Sequence, residues 1–458
     1  MAVDARRRPG LFDPAAFEVF RFVGREIDGD GGVSLRYALD DEIEFVERFQ
    51  LPEGTRVTDA DRERIDGILA LLHWTAGVSY FKTAVPAAVA CESGAPPPAV
   101  AALLEALYSE GLGEFAYTND LPGLPRPTFS SGAGPAGPLA APAAAPSRTL
   151  VPIGGGKDSI VALEIVRRVG PEPPALFSVG DAGPIARTAA VAGLEHLVVR
   201  RRLDPRLAEL NKEGALNGHV PITAIVSCVA VLTAALHGFD AVAMANERSA
   251  SSGNVSWAGI DVNHQFSKGA RAEALLRAAL GELGAGVELF SVLRPASELA
   301  IARAFARLSD YHEAFSSCNA NFRLDAAAPT RKWCRDCPKC RFVFLMLAPF
   351  CDPAHLGAVF GGDLLDEDRQ FEGFALLTAT GGFKPFECVG EEEESRAAMR
   401  LLAADPRWRD HSVVRRLATE VLPRFQADDG DLDQVLTLSE DHAVPATMMP
   451  TVHAILGA

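Results

Sequence analysis

Residues 17–23 form a mostly apolar, strand-like run, and residues 33–37 alternate apolar and polar with a period of two, on either side of the turn Gly29-Asp30-Gly31-Gly32. That pattern predicts two strands joined by a glycine-bearing turn. Helical spacing follows from 60 to 74, so residues 1–120 read as a small α+β domain. Between 121 and 147 the chain collapses to proline, alanine, glycine and serine, as in Ser130-Ser131-Gly132-Ala133-Gly134-Pro135. With no periodic face to bury, this stretch reads as a linker or long surface loop. The rhythm then changes to strand (149–153), helix (159–168, stopped by Gly170-Pro171), strand (175–179), a short helix, strand (196–199), a helix opening at Pro221 and a strand at 240–245. Alternation of this kind implies an α/β fold, with a doubly wound parallel sheet carrying helices on both faces over residues 148–350. Beyond it, helical patterns at 392–402 and 411–422, with a hairpin-like turn at Gly381-Gly382, predict a mainly helical extension over 351–458.

Composition narrows the function classes. At 458 residues and 48% hydrophobic, the chain is too long for one ordinary core and too apolar to be disordered. A net charge of −16 leaves any nucleic-acid role to a local basic patch working against the field of the whole molecule, so no nucleic-acid partner is expected. The amino terminus carries Asp4 and three arginines with no apolar run of signal-peptide length behind them, which points to the cytoplasm. The uncharged stretch 220–239 is interrupted by Pro221, Thr223, Ser227, Thr233 and His237. It reads as a buried helix rather than a membrane span.

The most informative string is Ile153-Gly154-Gly155-Gly156-Lys157-Asp158-Ser159, an apolar strand running through three glycines into an amphipathic helix. Glycines let a backbone approach a bound anion, and the helix start adds oriented amides and a partial positive charge. The loop is therefore expected to hold phosphate. It is not a Walker loop, because Asp158 stands where a magnesium-binding Ser or Thr is required, and Ser159 occupies the place of the third dinucleotide glycine. It resembles the Ser-Gly-Gly-x-Asp-Ser pyrophosphate loop of the N-type ATP pyrophosphatase (PP-loop) superfamily: Gly155, Gly156, Asp158 and Ser159 match, and Gly154 replaces the leading serine. The resemblance implies that Gly154 to Ser159, with Ser178 on the next strand, bind ATP and Mg2+. A carboxylate or similar oxygen would then attack the α-phosphate, giving an adenylate and pyrophosphate. The strings 217–225 and 237–247 look like the helix and fourth strand of the superfamily's deazaguanine nitrile synthases, which makes Asn246, Glu247, Arg248 and Ser249 candidates to face the activated substrate.

Cys318, Cys334, Cys337 and Cys340 offer four thiolates, the number a closed tetrahedral zinc site needs. Their order, one distant cysteine and three closely spaced, also occurs in the nitrile synthases. Unligated thiols and an iron–sulfur cluster are the alternatives, although ferredoxin spacing would want a cysteine where Phe344 stands. Cys228 lies in the apolar helix and Cys91 in a helical context, and both read as small core residues.

Five strings together resemble the UDP-N-acetylmuramoyl-L-alanyl-L-glutamate epimerases of the MurL type: residues 154–164, Asn246-Glu247-Arg248-Ser249, residues 262–269, the cysteine run 333–340 and residues 382–390. The resemblance covers all but the linker. It implies an ATP- and magnesium-dependent isomerase of peptidoglycan precursor synthesis that inverts the terminal L-glutamate of a UDP-linked muramoyl dipeptide. The chemistry suits the residues: removing a Cα–H beside a free carboxylate adds charge to an anion, whereas an adenylated carboxyl lets the carbonyl accept the carbanion as an enolate. Inversion then needs one mobile base or two. His219 and His264 are the histidines nearest these strings, with Glu387 and Cys388 as rivals. Packing or helix capping is the competing role for His219, and an ordinary loop for Glu387 and Cys388. Arg248 and Lys268 are the expected cations for the uridine diphosphate and the glutamate carboxylates. The rival function is another adenylating enzyme of the superfamily, an amide ligase or a nucleobase-modifying synthase.

Overall fold

The computed structural model describes residues 12–121, 126–132, 146–322, 331–378, 380, 386–387, 389–426 and 429–457. The turn Gly381-Gly382 and Cys388 lie outside them. The amino-terminal strands are β1 (Val19–Ile27), β2 (Gly32–Leu39), β3 (Ile43–Gln50) and β4 (Ala88–Cys91). The hairpin between β1 and β2 follows the alternation in the sequence, with Phe20, Phe22, Leu35 and Tyr37 turned inward and buried. Its turn is held by the Asp28 carboxylate, which accepts from the amides of Asp30 (2.9 Å) and Gly32 (2.8 Å), while Gly31 takes a φ of +78° that favours glycine.

The central strands are β5 (Thr149–Pro152), β6 (Ala175–Val179), β7 (His196–Arg202) and β8 (Ala241–Met244). A small hairpin of β9 (Val255–Trp257) and β10 (Ile260–Val262) follows, and then β11 (Glu288–Ser291). All except the small hairpin form one nine-stranded sheet in the order β11-β8-β5-β6-β7-β3-β2-β1-β4. Five of its eight pairings are parallel, and they include every contact among β5, β6, β7, β8 and β11. Alternate residues of these strands enter different cores. Leu150, Phe177, Val242 and Leu289 pack with the helix Ile222–His237; Val151, Leu176, Ala243 and Phe290 pack with the helices Lys157–Val166 and Glu298–Phe305. Helices thus cover both faces, as the strand–helix rhythm requires.

The strands of residues 1–120 continue this sheet. β3 pairs antiparallel with β7, Phe49 opposite Arg201, and the buried Glu47 carboxylate takes the Arg201 guanidinium at 2.5 Å. Residues 122–125 and 133–145 of the proline- and alanine-rich stretch lie outside the described residues.

The uncharged stretch 220–239 is the buried helix Ile222–His237, and among the described residues no helix is long and apolar enough to cross a membrane. The carboxy-terminal region is helical, with Pro338–Leu347, Glu392–Ala404 and Met449–Leu456 burying Phe342, Met399 and Val452 in the second core. The helix expected over 411–422 is shorter and irregular: Ser412–Arg416 passes into a π-turn at Leu417–Val421, ahead of Pro423. Proline cannot donate to the preceding turn, so the regular ladder stops short of it.

Candidate active site

β5 ends at Pro152, and the helix Lys157–Val166 begins directly after Gly156. The bend between them needs two of the three glycines. Gly155 has φ +79°, and a Cβ there would lie 2.7 Å from the Pro184 carbonyl carbon. A Cβ on Gly156 would lie 2.6 Å from Ser317 Oγ, whereas one on Gly154 would meet nothing within 4 Å. The Ser159 hydroxyl ties the loop, accepting from the Gly154 amide at 3.2 Å and donating to the Gly156 carbonyl at 3.0 Å. The Ser316 amide holds the Gly155 carbonyl at 2.9 Å.

The loop opens on a cavity of about 350 Å3. One wall is Gly154, Gly156, Asp158 and Ser159; a second is Asn246 and Glu247 beyond the tip of β8; Lys268, Ser317, Asn319 and Lys339 complete it. Lys157, inside the loop string, points away. Its buried ammonium is bonded to the carboxylates of Asp158 and Glu298. Burial alone would lower its pKa, and the two carboxylates overcome that and raise it. On Asp158 burial works upward, but Lys157, Lys339 and Lys268 hold it below the usual carboxylate range.

The residues after β8 separate. Asn246 donates to Ser291 Oγ at 3.0 Å, which aims it along the tip between β8 and β11. Glu247 and Lys268 are clamped through their backbone carbonyls by the buried Arg294, itself paired with Glu273 at 2.8 Å. The Arg248 guanidinium is engaged elsewhere, with the carbonyls of Val435 (3.2 Å) and Thr437 (2.9 Å), and the Ser249 hydroxyl is buried outside the cavity wall. Ser178 donates to the Gly180 carbonyl at 2.6 Å and meets His196 Nε2 at 2.8 Å.

His219 and His264 are brought together, ring centroids 4.5 Å apart. Both face Glu114, whose Oε2 lies 2.5 Å from His264 Nδ1 and 3.7 Å from His219 Nδ1. Burial lowers the pKa of His219 to about 4, with the neighbouring His264 and Lys268 adding to the shift and Glu114 opposing it. Lys268 acts on both His219 and Asp158, so the histidine pair and the glycine loop share one cation. Across the cavity, Asn319 donates to the Glu387 carboxylate, which places Glu387 one side chain behind the wall.

The four clustered cysteines converge. Their sulfurs lie within 4.8 Å of one another, Cys334 and Cys340 at 3.7 Å. Tetrahedral zinc with Zn–S bonds near 2.3 Å separates its sulfurs by about 3.8 Å, so the donor set fits that metal. The amides of Cys334 and Cys340 point at the sulfurs of Cys318 (3.3 Å) and Cys337 (3.4 Å), an arrangement that favours thiolates. Cys91 and Cys228 lie apart from the cluster, and burial pushes their thiols up to about 11 and about 12. The cluster also builds the cavity: Cys318 lies between the wall residues Ser317 and Asn319, and Lys339 lies between Cys337 and Cys340.

Sequence reasoning passed over Ser317, Asn319 and Lys339, although their adjacency to the cysteines was a usable signal. Glu114, Glu298 and Arg294 carried none, because each meets its partners only in the folded chain.

A glycine loop joins a parallel strand to a helix start beside a cavity with carboxylates and lysines in its wall, all within an α/β fold. The chain belongs to the MurL family. The MurL N-terminal domain family matches residues 11–292 and the MurL C-terminal domain family residues 314–431. Three proteins named UDP-N-acetyl-alpha-D-muramoyl-L-alanyl-L-glutamate epimerase are similar along nearly their whole length. The Micromonospora protein is 45% identical over 93% of this chain and 96% of its own, and that of Salinispora tropica 46% over 88% and 89%. The Xanthomonas oryzae protein is 41% identical over 97% and 98%.

Proposed function

We propose that this protein epimerises the terminal L-glutamate of UDP-N-acetylmuramoyl-L-alanyl-L-glutamate to D-glutamate, after activating the glutamate carboxylate with ATP. The observation that carries the substrate is the likeness to relatives of that name, 41–46% identical over at least 88% of this chain. The activation step rests on the glycine loop and its cavity. The strand order β11-β8-β5-β6-β7 is compatible with a doubly wound sheet, a class whose ligands lie at the carboxyl ends of the strands where the order reverses. Here that point falls between β5 and β8, at the mouth of the Gly154–Ser159 loop, which supports the PP-loop reading.

In this reading the loop amides and the start of the helix Lys157–Val166 cradle the β- and γ-phosphates. Asp158 and Glu247, both in the cavity wall, would hold Mg2+, and Lys268 and Lys339 would meet phosphate and carboxylate charge. Adenylation neutralises the glutamate carboxyl, so the Cα–H becomes removable and the electron pair passes into the carbonyl as an enolate. Reprotonation from the other face, followed by hydrolysis, releases AMP and the D-epimer. His219 and His264 supply the base on one side; Glu387, hydrogen-bonded to the wall residue Asn319, is the candidate acid on another. The four cysteines hold a structural zinc, and the reaction runs in the cytoplasm, where nucleotide-linked precursors and ATP are available.

The test is incubation with the L-dipeptide substrate in deuterium oxide. Deuterium is expected at the glutamate Cα only with ATP and Mg2+ present, together with AMP and pyrophosphate. ADP as product would exclude the adenylate, and exchange without nucleotide would exclude activation altogether.

A further inference from the structure

Two bases that serve opposite faces of one carbon must stand apart. Each needs its nitrogen about 3–3.5 Å from the reacting centre, so the pair is separated by about 6–7 Å with the carbon between. The rings of His219 and His264 do not meet that requirement: their centroids are 4.5 Å apart, and no substrate carbon fits between them. They are also joined by a third residue. Glu114, on the short helix Gly113–Thr118, presents one oxygen to Nδ1 of both rings. Three segments far apart in sequence are needed to build this contact. Gly113 packs on Val262, and Gly111 lies where a Cβ would touch Pro221 at 3.2 Å, so the short helix is pressed against the segments that carry both histidines.

Resting on the epimerase reading above, we propose that His219 and His264 form a single acid–base unit on one face of the glutamate Cα, with Glu114 as the positioning residue that fixes the His264 tautomer. A proton on His264 Nδ1 donated to Glu114 leaves Nε2 as the acceptor. Burial keeps His219 neutral beside it, so no resident imidazolium opposes the charge of the incoming proton. When the Cα–H breaks, its proton goes to an imidazole of the pair and its electron pair into the acyl carbonyl. The resulting imidazolium is countered by Glu114 and returns the proton to solvent. A group outside the pair delivers the proton to the opposite face.

The experiment follows deuterium wash-in at the glutamate Cα from both the L- and the D-epimer substrate, with ATP and Mg2+, in His219→Gln, His264→Gln and Glu114→Gln. Pyrophosphate release in the same samples reports activation and an intact fold, and Asn variants at both histidines repeat the measurement. One unit on one face makes both histidine variants lose wash-in from the same epimer, by about a hundredfold relative to pyrophosphate release. Glu114→Gln should lose it in the same direction, and Glu114→Asp should recover part of the loss. The assignment is overturned if the two histidine variants lose wash-in from opposite epimers, or if Glu114→Gln exchanges like the wild type. A stoichiometric metal bound in the wild type and lost in His219→Gln would overturn it too, since the same three side chains lie within 4.8 Å of one another. Wild-type enzyme that shows no wash-in from either epimer removes the epimerase reading itself, and the unit with it.

Discussion

Lys157 and Glu298 meet as an ion pair directly behind the glycine loop, each side chain 1% exposed. A lysine in a phosphate-loop string invites a role at the phosphate, but here its charge is already committed. Replacing it by methionine strands Glu298 in the core, and breaking a buried pair from one side costs about 3–5 kcal/mol. The double variant Lys157→Met, Glu298→Gln should recover a large part of that loss. Urea unfolding of the two single variants and the double variant measures the coupling; additive losses would mean the pair is not an energetic unit.

Glu394 gives the protein a pH-dependent arm. It is buried, accepts from the amides of Glu298 (2.8 Å) and Glu391 (2.9 Å), and is pushed up to about 8 by burial, with Glu298 and Glu391 adding repulsion. A carboxyl whose folded pKa is raised binds its proton more tightly in the folded state. Its contribution is complete below the unfolded value of 4.5 and is lost as pH climbs towards 8. Stability should therefore slope downward across that window, and Glu394→Gln should flatten the slope while lowering stability throughout, because an amide cannot accept from both N–H groups. An unchanged slope in the variant would remove Glu394 as its source.

The three loop glycines should respond unequally. Gly155→Ala combines a strained φ with contact on the Pro184 backbone, an expected loss of about 2–4 kcal/mol with loss of nucleotide binding. Gly154→Ser adds a side chain to open space and should stay within about 0.5 kcal/mol of the parent. Thermal melting with and without ATP separates the two.

Metal removal should reach the cavity. Elemental analysis is expected to find one zinc per chain, lost when Cys318, Cys334, Cys337 and Cys340 are changed to serine. Because Ser317, Asn319 and Lys339 adjoin the ligands, the chelated protein should also lose its thermal shift with ATP. A metal-free protein that binds ATP as before would show that the cysteines hold only their own segment.

What was legible in the sequence was local. The strand, three glycines and helix of the loop are consecutive, so periodicity and turn chemistry located them within a few residues. The cysteine cluster declared itself by spacing. The helix Ile222–His237 was legible because uncharged length and interrupting polar residues are both read from one window. What escaped depended on partners distant in the chain. Glu114 meets His264 across 150 residues, and Arg248 finds its carbonyls 187 and 189 residues away, so no window shows that one is recruited to the histidine pair and the other drawn off. The junction of β3 with β7 was hidden for the same reason, since alternation states that a strand has a buried face and not which strand lies beside it.

The charged side chains of the cavity wall nearly cancel: Asp158 and Glu247 against Lys268 and Lys339, with Lys157 withdrawn into the core. A site so balanced has little electrostatic pull on a bare polyanion. Triphosphate would have to arrive with its own countercharge, making the metal–nucleotide complex the true ligand and free ATP a poor competitor. Affinity should then track free magnesium far more steeply than it tracks sodium chloride, and omitting magnesium while the cysteine-bound zinc stays in place should empty the site.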